Sequence, residues 1–200
     1  SDEDRRNGLL QAASKKVPFV QEIQWDIIKE EQPRWLKFRS GELDLSEIPK
    51  DNYMDAIDGS GQLKPELVQE GIVLHKYLSL TSWWIEFNLK DPLLGSNIKL
   101  RQAIAHAFNR ERGLEILFAN RGILANSPLP PSLEGAAHMP AYPFTFNLER
   151  AKVLLAEAGY PGGKGLPELT FDLRGPGTTN RQLGELLKDN LAKIGIQLSI

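Results

Sequence analysis

The sequence predicts an α/β fold, a mixed sheet with flanking helices, and three observations predict it. Residues Leu169 to Ile200 read as a strand, a Gly-rich turn, a helix and a second strand, a βαβ-like unit whose crossover is right-handed by default if the strands are parallel. Apolar residues fall on one parity at Phe19, Ile23, Trp25 and Ile27, and two β-rich runs follow at Ile72 to Leu80 and Trp83 to Leu89. Elsewhere they recur at helical spacing, in Ile98, Ala103, Ile104, Ala107 and Phe108 and in Ala151, Leu154, Leu155 and Ala158. A period of two lines one face of a strand, and a period near 3.6 lines one face of a helix.

In chain order, Phe19 to Lys29 is the first expected strand. Gln32-Pro33 then opens a short helix carrying Trp35, Leu36 and Phe38, with Pro near its start and Gly41 just past its end. Asp51 to Asp58 forms a small helix packing Tyr53, Met54 and Ile57 and closed by Gly59-Ser60-Gly61. The runs Ile72 to Leu80 and Trp83 to Leu89 pair, or continue through a bend at Thr81-Ser82, and Asp91-Pro92 ends the second. Ser96 or Asn97 caps the helix that follows, and Asn109 caps another carrying Leu114, Ile116 and Leu117. Gly122 to Asn147 holds Pro128, Pro130, Pro131, Pro140 and Pro143, yet its Tyr142, Phe144 and Phe146 predict an ordered loop laid over the core. Asn147 caps a helix that stops at Gly159, and Leu183, Leu186, Leu187, Leu191 and Ile194 line the core face of the last one.

With 24 basic and 26 acidic residues the net charge is -2, so no strong field favours nucleic acid or an anionic membrane, and neither is an expected partner. The absence of cysteine removes disulfides, thiolate metal sites and Cys nucleophiles together. No apolar run approaches the ~20 residues that span a bilayer. Ile196 to Ile200 alternates like a half-buried strand and there the sequence stops, which reads as a boundary inside a longer protein, a natural edge strand being the alternative.

His75, His106 and His138 are too dispersed for a metal or catalytic motif, Gly162-Gly163-Lys164-Gly165 lacks the spacing of a phosphate loop, and no Gly-x-Ser-x-Gly elbow occurs. No catalytic residue, metal site or cofactor is therefore expected. Two features remain. Trp83 and Trp84 are adjacent, so in a strand they face opposite sides. One is expected in the core, and the other is either a ligand surface or a ring packed beneath a loop. The turn from Arg174 to Asn180 precedes a helix, and its free backbone N–H groups with Thr178, Thr179 and Asn180 make a donor-rich edge, serving a ligand or serving as plain N-capping.

The order of several segments resembles a known family, the peptide-type extracellular solute-binding proteins (family 5) that feed ABC importers. Phe38-Arg39-Ser40-Gly41-Glu42-Leu43-Asp44 is similar to its F-x-S-G-E-L-D element, and Phe87-Asn88 before Asp91-Pro92 to its strand end and Pro-bearing loop. Arg101-Gln102-Ala103-Ile104 with Ala107 and Arg110 matches a family helix. Pro128-Leu129-Pro130-Pro131, Ala151 to Pro161, and Leu191 to Ile196 follow in the family's order. Asn109 and Gln21 stand where the family often has Asp, the first an equivalent cap. The resemblance covers most of residues 17 to 200.

It implies a boundary segment over 1–16 and, over 17–200, one α/β lobe of a two-lobed periplasmic-binding-protein-like fold. It implies also a periplasmic or extracytoplasmic site with a signal peptide upstream, and a role in capturing peptides or similar solutes for import. Trp83, Trp84, Arg174, Thr178, Thr179 and Asn180 are the candidate ligand-binding residues, the closed receptor would dock on a membrane permease, and the lobe alone would be monomeric. No catalysis is implied. A ligand-sensing domain of a regulator with this fold, or an enzyme whose site lies in the other lobe, are the rival readings. In relatives that hold a peptide's amino group, the Asp doing so lies beyond the last strand of this sequence.

Overall fold

The structure, a computed structural model, describes Arg6, Lys16 and residues 18–131 and 133–200. The expected boundary segment 1–16 lies outside the described residues except for Arg6 and Lys16. The chain divides into two compact units, Ser1–Pro49 and Lys50–Ile200. Among the described residues no helix is long and apolar enough to cross a membrane.

In the first unit, helix α1 (Glu31–Arg39) buries Trp35, whose ring stacks on Phe38 at 5.5 Å between centroids. Ser40 ends it by donating its hydroxyl to Lys37 O and to the Glu42 carboxylate. That bond, with Lys37 close by, holds the Glu42 carboxyl below its usual range. The strand expected at Phe19 to Lys29 is not formed, and Trp25 and Ile27 are 85% and 92% exposed. A strand exists through a ladder to a neighbour, and no described residue of this unit supplies one.

The second unit begins with a 3₁₀ turn (Lys50–Asn52), α2 (Tyr53–Ala56) and α3 (Pro65–Gln69), which bury Ala56, Ile57, Leu63 and Leu67. The Asp58 carboxylate accepts the N–H of Gln62 and both the hydroxyl and N–H of Ser60, which lowers its pKa and closes the turn. After the extended run come α4 (Pro92–Ser96), α5 (Ile98–Ala107) and α6 (Arg110–Phe118). Their caps are Asp91, Asn97 and Asn109, each side chain accepting an N–H of the first turn. Arg101 donates to the carbonyls of Leu94 and Gly95, placing a cation at the C-terminal end of α4.

Helix α7 (Leu148–Glu157) starts at its Asn147 cap and packs Ala151, Leu154 and Leu155 against Leu100, Ala103, Ile104 and Ala107 of α5. Strand β1 (Leu169–Thr170), helix α8 (Thr178–Ala192) and strand β2 (Leu198–Ser199) complete the core with Leu187, Leu191, Ile194, Ile196 and Leu198. The strands are parallel, Leu169 opposite Leu198 and Thr170 opposite Ser199, so the βαβ-like unit forms as expected. This pair is the sheet found among the described residues. Ile72 to Leu80 and Trp83 to Leu89 are not strands. Ile85 and Phe87 pack on the core, but the backbone of their run has no ladder partner.

Two of the three aromatics of the Gly122 to Asn147 loop pack as expected. Phe144 meets the His106 ring edge-on at 5.4 Å, and Tyr142 lies under the Arg110 guanidinium at 4.2 Å. Burial pushes the Tyr142 phenol up, with Arg110 pulling it the other way. Phe146 is more exposed.

Asn190 of α8 is 2% exposed. Its amide oxygen accepts the Asn109 N–H left over where α5 gives way to α6, and its NH₂ donates to Leu186 O. Asn190→Leu is expected to destabilise by about 1–3 kcal/mol, because the Asn109 N–H is then buried without an acceptor. Urea unfolding should show a lower midpoint with an unchanged slope.

Candidate functional site

Trp83 lies on the same parity as Ile85 and Phe87, which pack on the core, so the run leaves the core before it reaches Trp83. Neither tryptophan is therefore a core residue: Trp83 is 57% and Trp84 62% exposed. The expectation that one would be buried is corrected by this placement, since Ile85 and Phe87 already fill the core positions of that face. What covers Trp83 is Arg174, whose guanidinium carbon stands 4.7 Å from the ring centroid. A cation over an indole face is attracted by the ring quadrupole.

Arg174 follows β1 in the turn that leads into α8. The turn is held by Asn180, whose NH₂ donates to Gly175 O at 3.2 Å. Gly177 is the N-cap and offers no side-chain cap, so the N–H groups of the first turn are not satisfied by capping. Thr178 is exposed, and Thr179 and Asn180 are half-buried. The structure thus brings Trp83 and Arg174 together from distant parts of the sequence and sets Thr178 and Thr179 at the head of the adjoining helix. Trp84 is not part of this pair: on the opposite parity, its indole N–H donates to the Glu86 carboxylate.

Sequence reasoning missed one contact beside this edge and one polar residue near the far end of α8. Lys50 donates its ammonium to the side-chain oxygen of Gln182, one turn into α8, and Asn190 fills a core position with a polar group. The second had a signal, since position 190 falls on the same stripe as Leu183, Leu187 and Ile194. A separate open groove of about 440 Å³ runs along Gly195 to Leu198 with Glu168, Lys188 and Ala192, and no candidate residue lines it. His106 donates its Nδ1–H to Thr145 O and meets Phe144 edge-on, while His75 and His138 are exposed. Among the described residues no group of three or more His, Asp or Glu could hold a metal ion.

The family profile described as bacterial extracellular solute-binding proteins, family 5 Middle, matches residues 13–200. The chain belongs to this family. It is 30% identical over 176 residues to heme-binding protein A of Haemophilus influenzae, covering 86% of this chain and 29% of that protein. The dipeptide-binding protein of Escherichia coli is 25% identical over 92% of this chain and 32% of its own length. Among solved structures, the ABC transporter-associated periplasmic binding protein DppA from Helicobacter pylori, in complex with the peptide STSA, aligns with a TM-score of 0.66. It is 27% identical, over 86% of this chain and 31% of that one. HbpA2 from Haemophilus parasuis aligns with a TM-score of 0.60 and 28% identity, over 87% and 32%. The chain therefore spans about a third of the length of the relatives it matches. Its α/β fold is that of a lobe of the periplasmic binding proteins, and these relatives are binding proteins.

Proposed function

We propose that this family 5 chain is one lobe, over 17–200, of a longer receptor that captures peptides or similar solutes for an ABC importer. The receptor would work in the periplasm or outside the cell, without catalysis, and pass its solute to a membrane permease. One wall of its cleft is formed by Trp83 and Arg174, with Thr178, Thr179 and Asn180 at the head of α8 and Trp84 at the margin. The observation that carries this reading is the exposed Trp83 ring with Arg174 stacked on it. A large ring held by a cation beside a helix N-terminus offers a ligand a rigid apolar surface next to polar donors. The dipeptide-binding and heme-binding relatives support the same class of work.

In the longer protein, Trp83→Ala is expected to weaken peptide affinity about tenfold, the effect of losing ~1–1.5 kcal/mol of stacking. Trp84→Ala, which removes a ring already tied to Glu86, should weaken it less. Calorimetry with a peptide library reads both, and an unchanged affinity for the Trp83 variant would move the cleft elsewhere.

A further inference from the structure

Residues 73–87 run along the surface without a ladder. The Ile72 N–H bonds to Leu67 O and the Asp91 N–H to Asn88 O, but among the described residues no backbone group from 73 to 87 makes a backbone hydrogen bond. Within that run Tyr77-Leu78-Ser79-Leu80-Thr81-Ser82-Trp83-Trp84-Ile85 carries no charge, no proline and no glycine, and Tyr77, Leu78, Leu80, Trp83 and Trp84 are exposed. One charge stands at each end, Lys76 before the stretch and Glu86 after it. An unpaired edge of this composition is a template for another strand.

The two flanking charges select the strand that fits. If a second copy is laid antiparallel on the run about a two-fold axis at Thr81, position 76 of one copy lies opposite 86 of the other, 77 opposite 85, and 78 opposite 84. Lys76 then faces Glu86 at both ends of the ladder, Tyr77 faces Ile85, and Leu78 faces Trp84. Opposite charges and aromatic-aliphatic pairs are the combinations that stabilise neighbouring strands, whereas a parallel in-register pairing would set Lys76 on Lys76 and Glu86 on Glu86. Both charged heads are exposed and already steadied within their own copy, Lys76 by Gly61 O and Glu86 by the Trp84 indole N–H. The chain bends at Leu80, beside the axis, and a two-fold along the bisector of that bend carries each arm onto the opposite arm of the partner. Ile85 and Phe87, packed on the core, anchor one arm.

We propose that this 200-residue chain pairs with a second copy of itself through residues 76–86, as an antiparallel two-fold dimer centred on Thr81. The contact is isologous, so two copies use up the paired edge. The pairing goes beyond the solute-binding role and stands independently of it, and it takes the place of the monomer that the family resemblance implies for the lobe alone.

Sedimentation velocity on the 200-residue chain over a series of concentrations is the test, and a monomer–dimer equilibrium without larger species is the expected result. Lys76→Glu and Glu86→Lys should each weaken the dimer about tenfold, because two attractive pairs become repulsive at once. The double variant, which swaps the charges, should recover the original dimer constant to within about threefold, since every cross-copy pair is again of opposite sign. Thr81→Pro should abolish pairing, proline having no N–H to give a ladder. Each variant should keep its thermal midpoint, as the run has no ladder within its own copy to lose, and this separates pairing from folding. A chain that stays monomeric at every concentration, single reversals that leave the dimer unchanged, a double variant that does not recover, or open-ended growth past two copies would each overturn the proposal.

Discussion

Gly195→Ala is expected to cost about twice as much stability as Gly165→Ala, although both glycines have the same left-handed backbone. Gly195 has φ +89 and Gly165 has φ +80, so each substitution meets the penalty of placing an L side chain there, about 1–2 kcal/mol. Their surroundings differ. A Cβ on Gly165 would meet nothing within 4 Å, whereas one on Gly195 would lie 2.1 Å from Gly162 O and 2.6 Å from its carbonyl carbon. Backbone cannot swing aside as a side-chain tip can, so the 3₁₀ turn (Pro161–Gly163) and the α8 to β2 connection must separate. Overpacking of this kind adds about 1–3 kcal/mol. The sum of about 2–5 kcal/mol is a large share of the 5–15 kcal/mol that typically holds a domain of this kind together.

Gly163→Ala should behave alike, its Cβ falling 1.9 Å from Gly195 O, and the double variant should cost less than the sum because one separation relieves both clashes. Urea unfolding followed by circular dichroism measures all four. A Gly195→Ala midpoint no lower than that of Gly165→Ala would show that the two turns do not touch as described.

That contact also marks where the sequence stops being informative. The glycine at 195 is readable as the residue that turns the chain out of the last helix, because the core stripe ends at Ile194 and an apolar alternation begins at Ile196. That it must also be glycine to admit the Pro161–Gly163 turn depends on a neighbour distant in sequence, which no local period encodes. The caps were legible for the same reason as the turn: Asn97, Asn109 and Asn147 each precede an apolar helical stripe and each accepts the expected N–H. The parallel pair of β1 and β2 was legible too, since strand, helix and strand in short order leave little choice of topology.

The extended runs show the opposite case. Alternation at Phe19 to Ile27 and across Ile72 to Leu89 reports which face of a strand wants burial, and says nothing of whether a partner strand stands beside it. Where the core does reach, at Ile85 and Phe87, the parity reading holds. Where it does not, at Trp25, Ile27, Trp83 and Trp84, the side chains stay in water. The helices α3 and α4 were missed because each is about one turn long, too short for a period, although Pro65 and Pro92 at their first positions are the residues that favour a helix start. The pairing of Trp83 with Arg174 was beyond sequence reasoning, which named both residues but had no means of joining them.

A peptide that binds the longer protein with micromolar affinity is expected to bind this 200-residue chain about a thousandfold more weakly, the equivalent of roughly 4 kcal/mol. The argument begins with area. A ligand in a closed cleft has 70–90% of its surface buried, and one wall alone covers about half of that. The wall described here is open: Trp83, Trp84 and Arg174 are all exposed. Each polar partner supplied by another lobe removes about 0.5–1.5 kcal/mol more when absent, so three or four of them suffice for the loss. Closure itself adds nothing when there is no second body to close, since a hinge stabilises a ligand only through the contacts made by the moving part. Calorimetry on the chain and on the longer protein with the same peptides makes the comparison directly. Micromolar binding by the chain alone would mean that its site is complete within residues 17–200, and would replace the two-walled cleft with a pocket belonging to this lobe.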